Sequence, residues 1–333
     1  MLETCLKALV LGYGSIGKRH INNLSSFRDM EILVCTKRRY DNFLRRKKCK
    51  IFNSIDECLK EKPDIAIISN SSSLHVKTAI KLANSGVHLF IEKPLSNSLK
   101  GVKTLLKIVK KQRLVTLMGC VLRFHPSIKK IKEIVSKNEI GRIMSVHVEN
   151  GSYLPDWHLD EKYQNSYAAR RNLGGGVVLT CIHELDYLYW FFGDIKEVFS
   201  ITGKYSDLEL SVEDLSAILL QFKNNIISEV HLDYFQKPEV RSCKIIGTKG
   251  TIYWDLNMNA VKIYDIKKKK WIEKLKLQNY DDNAMYVEEL VHFLRCVKNK
   301  EKTINDVYEG AKILQIALAV KQSSKTKKVI KFS

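Results

Sequence analysis

The stretch from Leu6 to Gly17 limits most tightly what this chain can fold into. LKALVL (6–11) is an apolar run broken only by Lys7. It stops at Gly12, and Gly14 and Gly17 come next at G-x-G-x-x-G spacing as a helical pattern opens at Ser15. A strand without polar alternation is covered on both faces, as strands in parallel sheets are. Gly12 permits the tight turn, Gly14 lets backbone approach a pyrophosphate, and Gly17 lets the helix pack close to the strand. The helix start presents unpaired N–H groups and a partial positive charge to an anion. Gly12, Gly14, Ser15, Ile16 and Gly17 are therefore the expected seat of a dinucleotide.

The next hundred residues support a parallel sheet. EILVCT (31–36), DIAIIS (64–69), VHLFIE (87–92) and VTLMG (115–119) read as further short strands, with helical patterns at 73–85 and 98–112. Strand and helix in alternation predict an α/β, Rossmann-type domain over residues 1–122. Ligands on such sheets bind beyond the carboxyl ends of the strands. Ser69, Asn70, His75, Glu92 and Lys93 stand at such ends and join the candidate cofactor contacts. An NAD site places an acid about twenty residues past the glycines to hold the ribose. Here the second strand ends in CTKRRY, with Thr36, Lys37, Arg38 and Arg39 where the acid would be. Hydroxyl and cationic donors suit a 2′-phosphate, so NADP is favoured over NAD.

FIEKPL (90–95) ends an apolar strand on a carboxylate, an ammonium and an imide in succession. A surface turn tolerates those residues without needing that order, whereas a reaction centre at the mouth of a parallel sheet uses an ammonium there. Pro94 removes a backbone donor and stiffens the turn, and a cis Lys93–Pro94 bond is one option open to it.

After residue 122 the pattern changes. Stretches at 143–153, 197–205, 215–222, 225–235, 243–248, 251–256 and 260–266 are strand-like, and SEVHLDY and AVKIYDI alternate with period two. That predicts a large open, mostly antiparallel sheet over 123–333, covered on one face by helices at 126–137 and 182–192. Two closing helices are expected at 281–298 and 305–322, the latter with Asn305 as N-cap, and these are free to pack back on the first domain. The uncovered sheet face is an expected homodimer or homotetramer interface.

The order of landmarks resembles the Gfo/Idh/MocA family, named for glucose–fructose oxidoreductase, inositol dehydrogenase and rhizopine catabolism. GYGSIG, ISNSSSLH, FIEKPL, LRFHP (122–126), IGRI (140–143) and NLGGGVVLTCIHELD (172–186) carry the resemblance over nearly the whole chain. It implies NAD(P)-dependent oxidation or reduction at a sugar, cyclitol or sugar-nucleotide carbon, for example in surface-polysaccharide metabolism. It also implies that Lys93 lies between nicotinamide and substrate, and that His183 is the general acid/base. An ammonium aimed at the reacting oxygen stabilises charge there, and histidine exchanges protons near neutrality. Asp186, one helical turn on, is placed to orient His183 or to pair locally. Many relatives carry an Asp shortly before this histidine; here Thr180 and Cys181 stand there. Thr180 can hydrogen-bond a substrate hydroxyl but is no base. The loop 153–172 is expected to line the substrate pocket, with the flat faces of Tyr153, Trp157, Tyr163 and Tyr167, and with Arg170 and Arg171 as a bidentate anion grip. Arg123 is an expected cofactor or substrate contact, or a brace of the domain junction.

Composition narrows the alternatives. Lys supplies 43 and Arg 13 of the 56 cations in a chain of formal charge +20, and the Lys are scattered apart from Lys267–Lys270. Nucleic-acid readers concentrate Arg and aromatics on a stripe, so no nucleic-acid partner is expected. The eight Cys form no CxxC pair, which argues against zinc or a disulfide frame and for reduced, cytoplasmic thiols. No apolar run is long enough to span a bilayer, and no metal is expected. A non-catalytic NAD(P)-sensing regulator on the same fold is the alternative reading.

Overall fold

The computed structural model describes residues 6–38, 41–157 and 162–332. Two compact units emerge, one from the residues up to Cys120 together with Tyr286–Leu314, the other from Val121–Met285 with Gln315–Ser333.

In the first unit the expected strands form as β1 (Leu6–Leu11), β2 (Met30–Cys35), β4 (Ile65–Ile68), β5 (His88–Glu92) and β6 (Thr116–Gly119). One further strand has no counterpart in the sequence pattern: β3 (Lys50–Phe52), a three-residue edge strand too short to carry a period. The sheet order is β3-β2-β1-β4-β5-β6, parallel throughout. Helices α1 (Ser15–Leu24), α4 (His75–Asn84) and α5 (Val102–Gln112) answer to the expected patterns, while α2 (Asn42–Arg46) and α3 (Ile55–Lys60) are additional. Asp41 and Ser54 cap these two short helices through their side chains, which satisfies N–H groups that would otherwise lack partners. The core includes Val10, Val34, Ile67, Phe90 and Leu117, joined by Leu290 and Phe293 from helix α9 (Asn283–Asn299), all inaccessible to solvent.

The second unit holds a nine-stranded sheet, order β14-β13-β12-β11-β7-β10-β9-β8-β15. Its strands are β7 (Ile143–Gly151), β8 (Ile195–Gly203), β9 (Leu215–Phe222), β10 (Ile227–Asp233), β11 (Val240–Gly247), β12 (Gly250–Asp255), β13 (Ala260–Asp265), β14 (Lys270–Lys276) and β15 (Ile330–Lys331). All neighbours pair antiparallel except β7 and β10. β14 reads KWIEKLK, which carries no clear strand pattern; it is an edge strand whose lysines discourage pairing with another chain. Helices α6 (Pro126–Ser136), α7 (Val177–Thr180) and α8 (His183–Phe192) belong to this unit, with α6 packed on β13 and β14.

Helix α10 (Val307–Thr326) corrects one expectation. Asp306, not Asn305, caps it, its Oδ1 accepting from the N–H groups of Tyr308 (2.9 Å) and Glu309 (3.1 Å). Asn305 instead donates its Nδ2–H to the Met118 carbonyl at the end of β6 (2.8 Å). Among the described residues no helix is long and apolar enough to cross a membrane, and no disulfide joins the seven described cysteines.

Candidate active site

The glycine turn after β1 has the geometry its spacing implies. Gly12 has φ +103°, and a Cβ there would lie 2.5 Å from the Ser69 carbonyl oxygen. A Cβ on Gly17 would strike the Gly12 carbonyl, whereas one on Gly14 would meet nothing within 4 Å. Gly14 begins α1, whose start has no side-chain cap and no acid in its first turn. Open space beside an uncapped, positively polarised helix start fits a pyrophosphate. The residues present therefore fit a dinucleotide, with Ser15 and Ile16 supplying N–H groups. Ser69 supports the turn from below, its Oγ donating to the Leu11 carbonyl at 3.0 Å. Asn70 donates to Thr78 Oγ1 at 3.1 Å and leaves its buried Oδ1 without a hydrogen bond.

At the end of β2, Thr36 is nearly buried and its Oγ1 accepts from the Arg38 N–H at 3.1 Å, while Lys37 and Arg38 are exposed. Arg39 lies outside the described residues. The nearest acid along the chain is Asp41, a residue that the spacing did not single out. Its carboxylate accepts from the Tyr13 hydroxyl (2.7 and 2.8 Å) and from the Leu44 N–H (3.0 Å). Burial and then the Asp41 carboxylate push the Tyr13 hydroxyl far above its ordinary range, so it stays a donor.

β5 delivers FIEKPL at its carboxyl end, and the Lys93–Pro94 peptide is cis. Glu92 points inward, its Oε1 2.7 Å from Nε2 of the fully buried His20. Its carboxylate thereby ties the end of β5 to α1. His75, the first residue of α4, is buried as well. Its Nδ1 lies 2.8 Å from the Pro94 carbonyl oxygen and its Nε2 2.9 Å from that of Asn70. Burial lowers the pKa of His75, with the two carbonyls opposing. A neutral ring donates to one of them only. Tyr286, from α9, is raised by its own burial and then by Glu92, with Arg19 and Lys93 pulling it down. The Arg19 guanidinium stacks 4.2 Å above the Tyr286 ring. Lys93 thus has Tyr286 as a titratable neighbour within the first unit, besides Glu92, which adjoins it in the chain.

In the second unit the Gly174–Gly176 turn closes tightly. Gly174 and Gly176 have φ of +88° and +108°, and a Cβ on Gly175 would press on the Tyr167 and Ala168 carbonyls. The turn leads into α7, then Thr180 (4% exposed) and His183 (9% exposed), the first residue of α8. Asp186 pairs within the unit. Arg123 takes its carboxylate in a bidentate grip, Nε to Oδ2 at 2.9 Å and Nη2 to Oδ1 at 2.8 Å. Arg123 is 0% exposed, with the Trp190 ring centroid 5.5 Å away. A guanidinium so enclosed serves as a brace inside the unit, one of the roles expected for it. A second pair, the half-buried Arg241 with the buried Glu184 (2.7 and 2.8 Å), has no sequence signal that announces it.

Loop residues 158–161 of the expected substrate segment lie outside the described residues. Of the rest, Trp157 donates its Nε1–H to Ser152 Oγ (2.8 Å) and meets the buried Tyr234 ring edge-on at 5.5 Å. The Lys237 ammonium sits 3.4 Å above the Tyr153 ring. The Tyr163 hydroxyl accepts from the Glu209 N–H at 3.1 Å. Arg170 and Arg171 are exposed but already engaged: Arg170 binds the Gln164 carbonyl (2.8 Å) and the Asn165 side chain, and Arg171 binds the Ser211 carbonyl (3.2 Å). Their forks hold the loop together. Among the described residues no cluster of His, Cys, Asp or Glu is placed to hold a metal ion.

A parallel doubly wound sheet whose glycine turn leaves room for a pyrophosphate defines a dinucleotide-binding protein. Residues 6–120 match the oxidoreductase family with an NAD-binding Rossmann fold, and residues 128–253 match the GFO/IDH/MocA C-terminal domain. The chain belongs to the Gfo/Idh/MocA family of oxidoreductases. It is 26% identical to the myo-inositol 2-dehydrogenase of Thermotoga maritima, covering 97% of each chain. It is 25% identical to the scyllo-inositol 2-dehydrogenase (NAD(+)) of Bacillus subtilis, covering 97% of this chain and 95% of that one. A levoglucosan dehydrogenase in complex with NADH shares the fold at a TM-score of 0.88, with 16% identity over 98% of this chain and 99% of that one.

Proposed function

We propose that the protein moves a hydride between a nicotinamide and a hydroxyl- or keto-bearing carbon of a sugar, cyclitol or sugar nucleotide. The observation that carries this is the Lys93 turn: a buried strand ends on an ammonium whose flanking residues, Glu92 and Pro94, are both held by buried histidines. A bound dinucleotide supplies the hydride donor or acceptor. Lys93 hydrogen-bonds the reacting oxygen and stabilises charge on it, and His183 takes or returns the hydroxyl proton. Thr180 hydrogen-bonds a neighbouring hydroxyl. The dehydrogenases among the relatives support a polyol substrate. The formal charge of +20 favours an anionic one such as a sugar nucleotide, of the kind consumed in surface-polysaccharide synthesis. Thr36, Lys37 and Arg38 favour NADP over NAD.

The open face of the nine-stranded sheet is proposed to pair with a second copy of this chain. Its cross-strand neighbours run Phe199, Leu219, Glu229, His147, Lys244 and Tyr253, apolar at one end and charged in the middle. Light scattering that reports a monomer would remove this part.

A second reading, a non-catalytic NAD(P) sensor, draws on one observation: Val177–His183 contains no carboxylate. Cyclitols, sugars and sugar nucleotides screened for NADP+ and NAD+ reduction, and their keto forms for NADPH and NADH oxidation, separate the two. Turnover of any member supports the enzyme; cofactor binding without turnover across the panel supports the sensor.

A further inference from the structure

We propose that His20 is a positioning residue for Lys93: through Glu92 it sets the direction of the ammonium, while His75 holds the other flank of the same turn. The proposal rests on the catalytic role assigned to Lys93 under the proposed function. His20 lies on α1, the helix that opens at the glycine turn, and is 0% exposed. Its Nε2 is 2.7 Å from Glu92 Oε1, and the carboxylate itself is nearly buried. A carboxylate out of water needs a donor, and within hydrogen-bonding range of Oε1 this imidazole is that donor. Space for the carboxylate is made by Gly119 on the neighbouring strand β6, where a Cβ would come within 2.8 Å of Glu92 Oε2. The imidazole is confined in turn by the Phe90 ring, edge-on at 5.0 Å, itself packed on Phe293 at 5.7 Å. On the far side His75 Nδ1 lies 2.8 Å from the Pro94 carbonyl oxygen.

Lys93 is the single residue between these two anchors. Neither histidine is needed for the sheet to form, since β5 is already paired on both sides by β4 and β6. What they add is definition of the turn beyond the last ladder bond. His20 also ties that turn to the helix that starts at Gly14, so cofactor seat and lysine share one rigid support. A misplacement of about 1 Å at a reacting group costs about 100-fold in rate.

The test reads Lys93 directly and needs no substrate. Reductive methylation with 13C-formaldehyde labels the lysines, and the Lys93 resonance is identified by its loss in Lys93→Arg. In His20→Leu its titration midpoint is expected to move by about half a pH unit or more, because the neighbouring carboxylate swings away. In His20→Gln, which keeps an N–H donor, it returns to the wild-type position. NADPH affinity stays within about threefold in both, since no cofactor contact is removed. An unmoved resonance in His20→Leu, or an equal shift in His20→Gln, overturns the proposal whatever happens to thermal stability. With any substrate that is turned over, His20→Leu lowers kcat about 30-fold alone but less than about threefold in a Lys93→Ala background, the non-additivity of residues acting as one unit. Independent, multiplicative losses contradict it. A Lys93→Ala enzyme with undiminished rate removes Lys93 from the chemistry, a different result that the resonance shift does not depend on.

Discussion

In the first unit Ile67 and Ile68 are adjacent on β4 and both 0% exposed, in a sheet buried on both faces; in the second, Ile218 and Leu219 are adjacent yet 2% and 48% exposed. The two sheets position chemistry differently as a consequence. A sheet covered on both sides offers ligands only its strand ends, so its candidate groups are set by backbone: the Gly12 turn, the Ser69–Asn70 exit and the Lys93–Pro94 peptide. The one-sided sheet leaves Thr180 and His183 on short helices beside it, where side-chain ion pairs fix the scaffold, the buried Arg123 with Asp186 and the half-buried Arg241 with Glu184.

Substitutions that strike each kind of support separately would sharpen or break this contrast. The largest effect is expected from Gly12→Val, which puts a Cβ against the Ser69 carbonyl at φ +103°. NADPH affinity, measured by fluorescence titration, should fall by more than about 100-fold, with strain of about 3 kcal/mol. In the second unit Asp186→Ala should leave the Arg123 guanidinium buried and unpaired and cost about 3–5 kcal/mol in urea unfolding, while replacing both partners by apolar residues restores much of it. If Asp186→Ala is as stable as wild type, the brace is not what holds α8.

A smaller effect depends on pH. His125 caps α6, its Nδ1 accepting from the Ser127 N–H at 3.2 Å, which only an unprotonated nitrogen can do. Burial, and then Arg241, lower its pKa from 6.5 to about 4. The unfolded chain takes up this proton below about 6.5 and the folded one only near 4, so stability is intact at neutral pH and falls between those values. The loss approaches about 3 kcal/mol. Urea midpoints from pH 7 to pH 4 should show that slope, and His125→Asn, which keeps a capping acceptor without titrating, should flatten it. The smallest effect is at the ribose end: Arg38→Ala should weaken NADPH about tenfold and leave NADH unchanged. Equal weakening of both would deny a 2′-phosphate contact.

The same contrast decides what the sequence disclosed. Continuous apolar runs and glycine spacing disclosed the first sheet nearly strand for strand, and missed β3 because three edge residues carry no period. Period-two alternation disclosed most of the second sheet, but β14 hid behind its lysines. At the site, residues held by backbone geometry were legible: Gly12, Gly14 and Lys93 stand where spacing implied. Residues held by a distant partner were not. Arg123 stays open in the sequence between a ligand contact and a brace, because nothing along the chain announces that Asp186, 63 positions on, will enclose it. His20 and Glu92, 72 positions apart, are silent for the same reason.

The central claim is that a strand-end ammonium carries the chemistry of this oxidoreductase. Lys93→Ala tests it most directly, with kcat on the fastest substrate of the panel and NADPH affinity measured on the same preparation. The expected result is a fall in kcat of about a thousandfold with affinity within about threefold. An unchanged kcat, or a loss explained wholly by failure to bind NADPH, would contradict it.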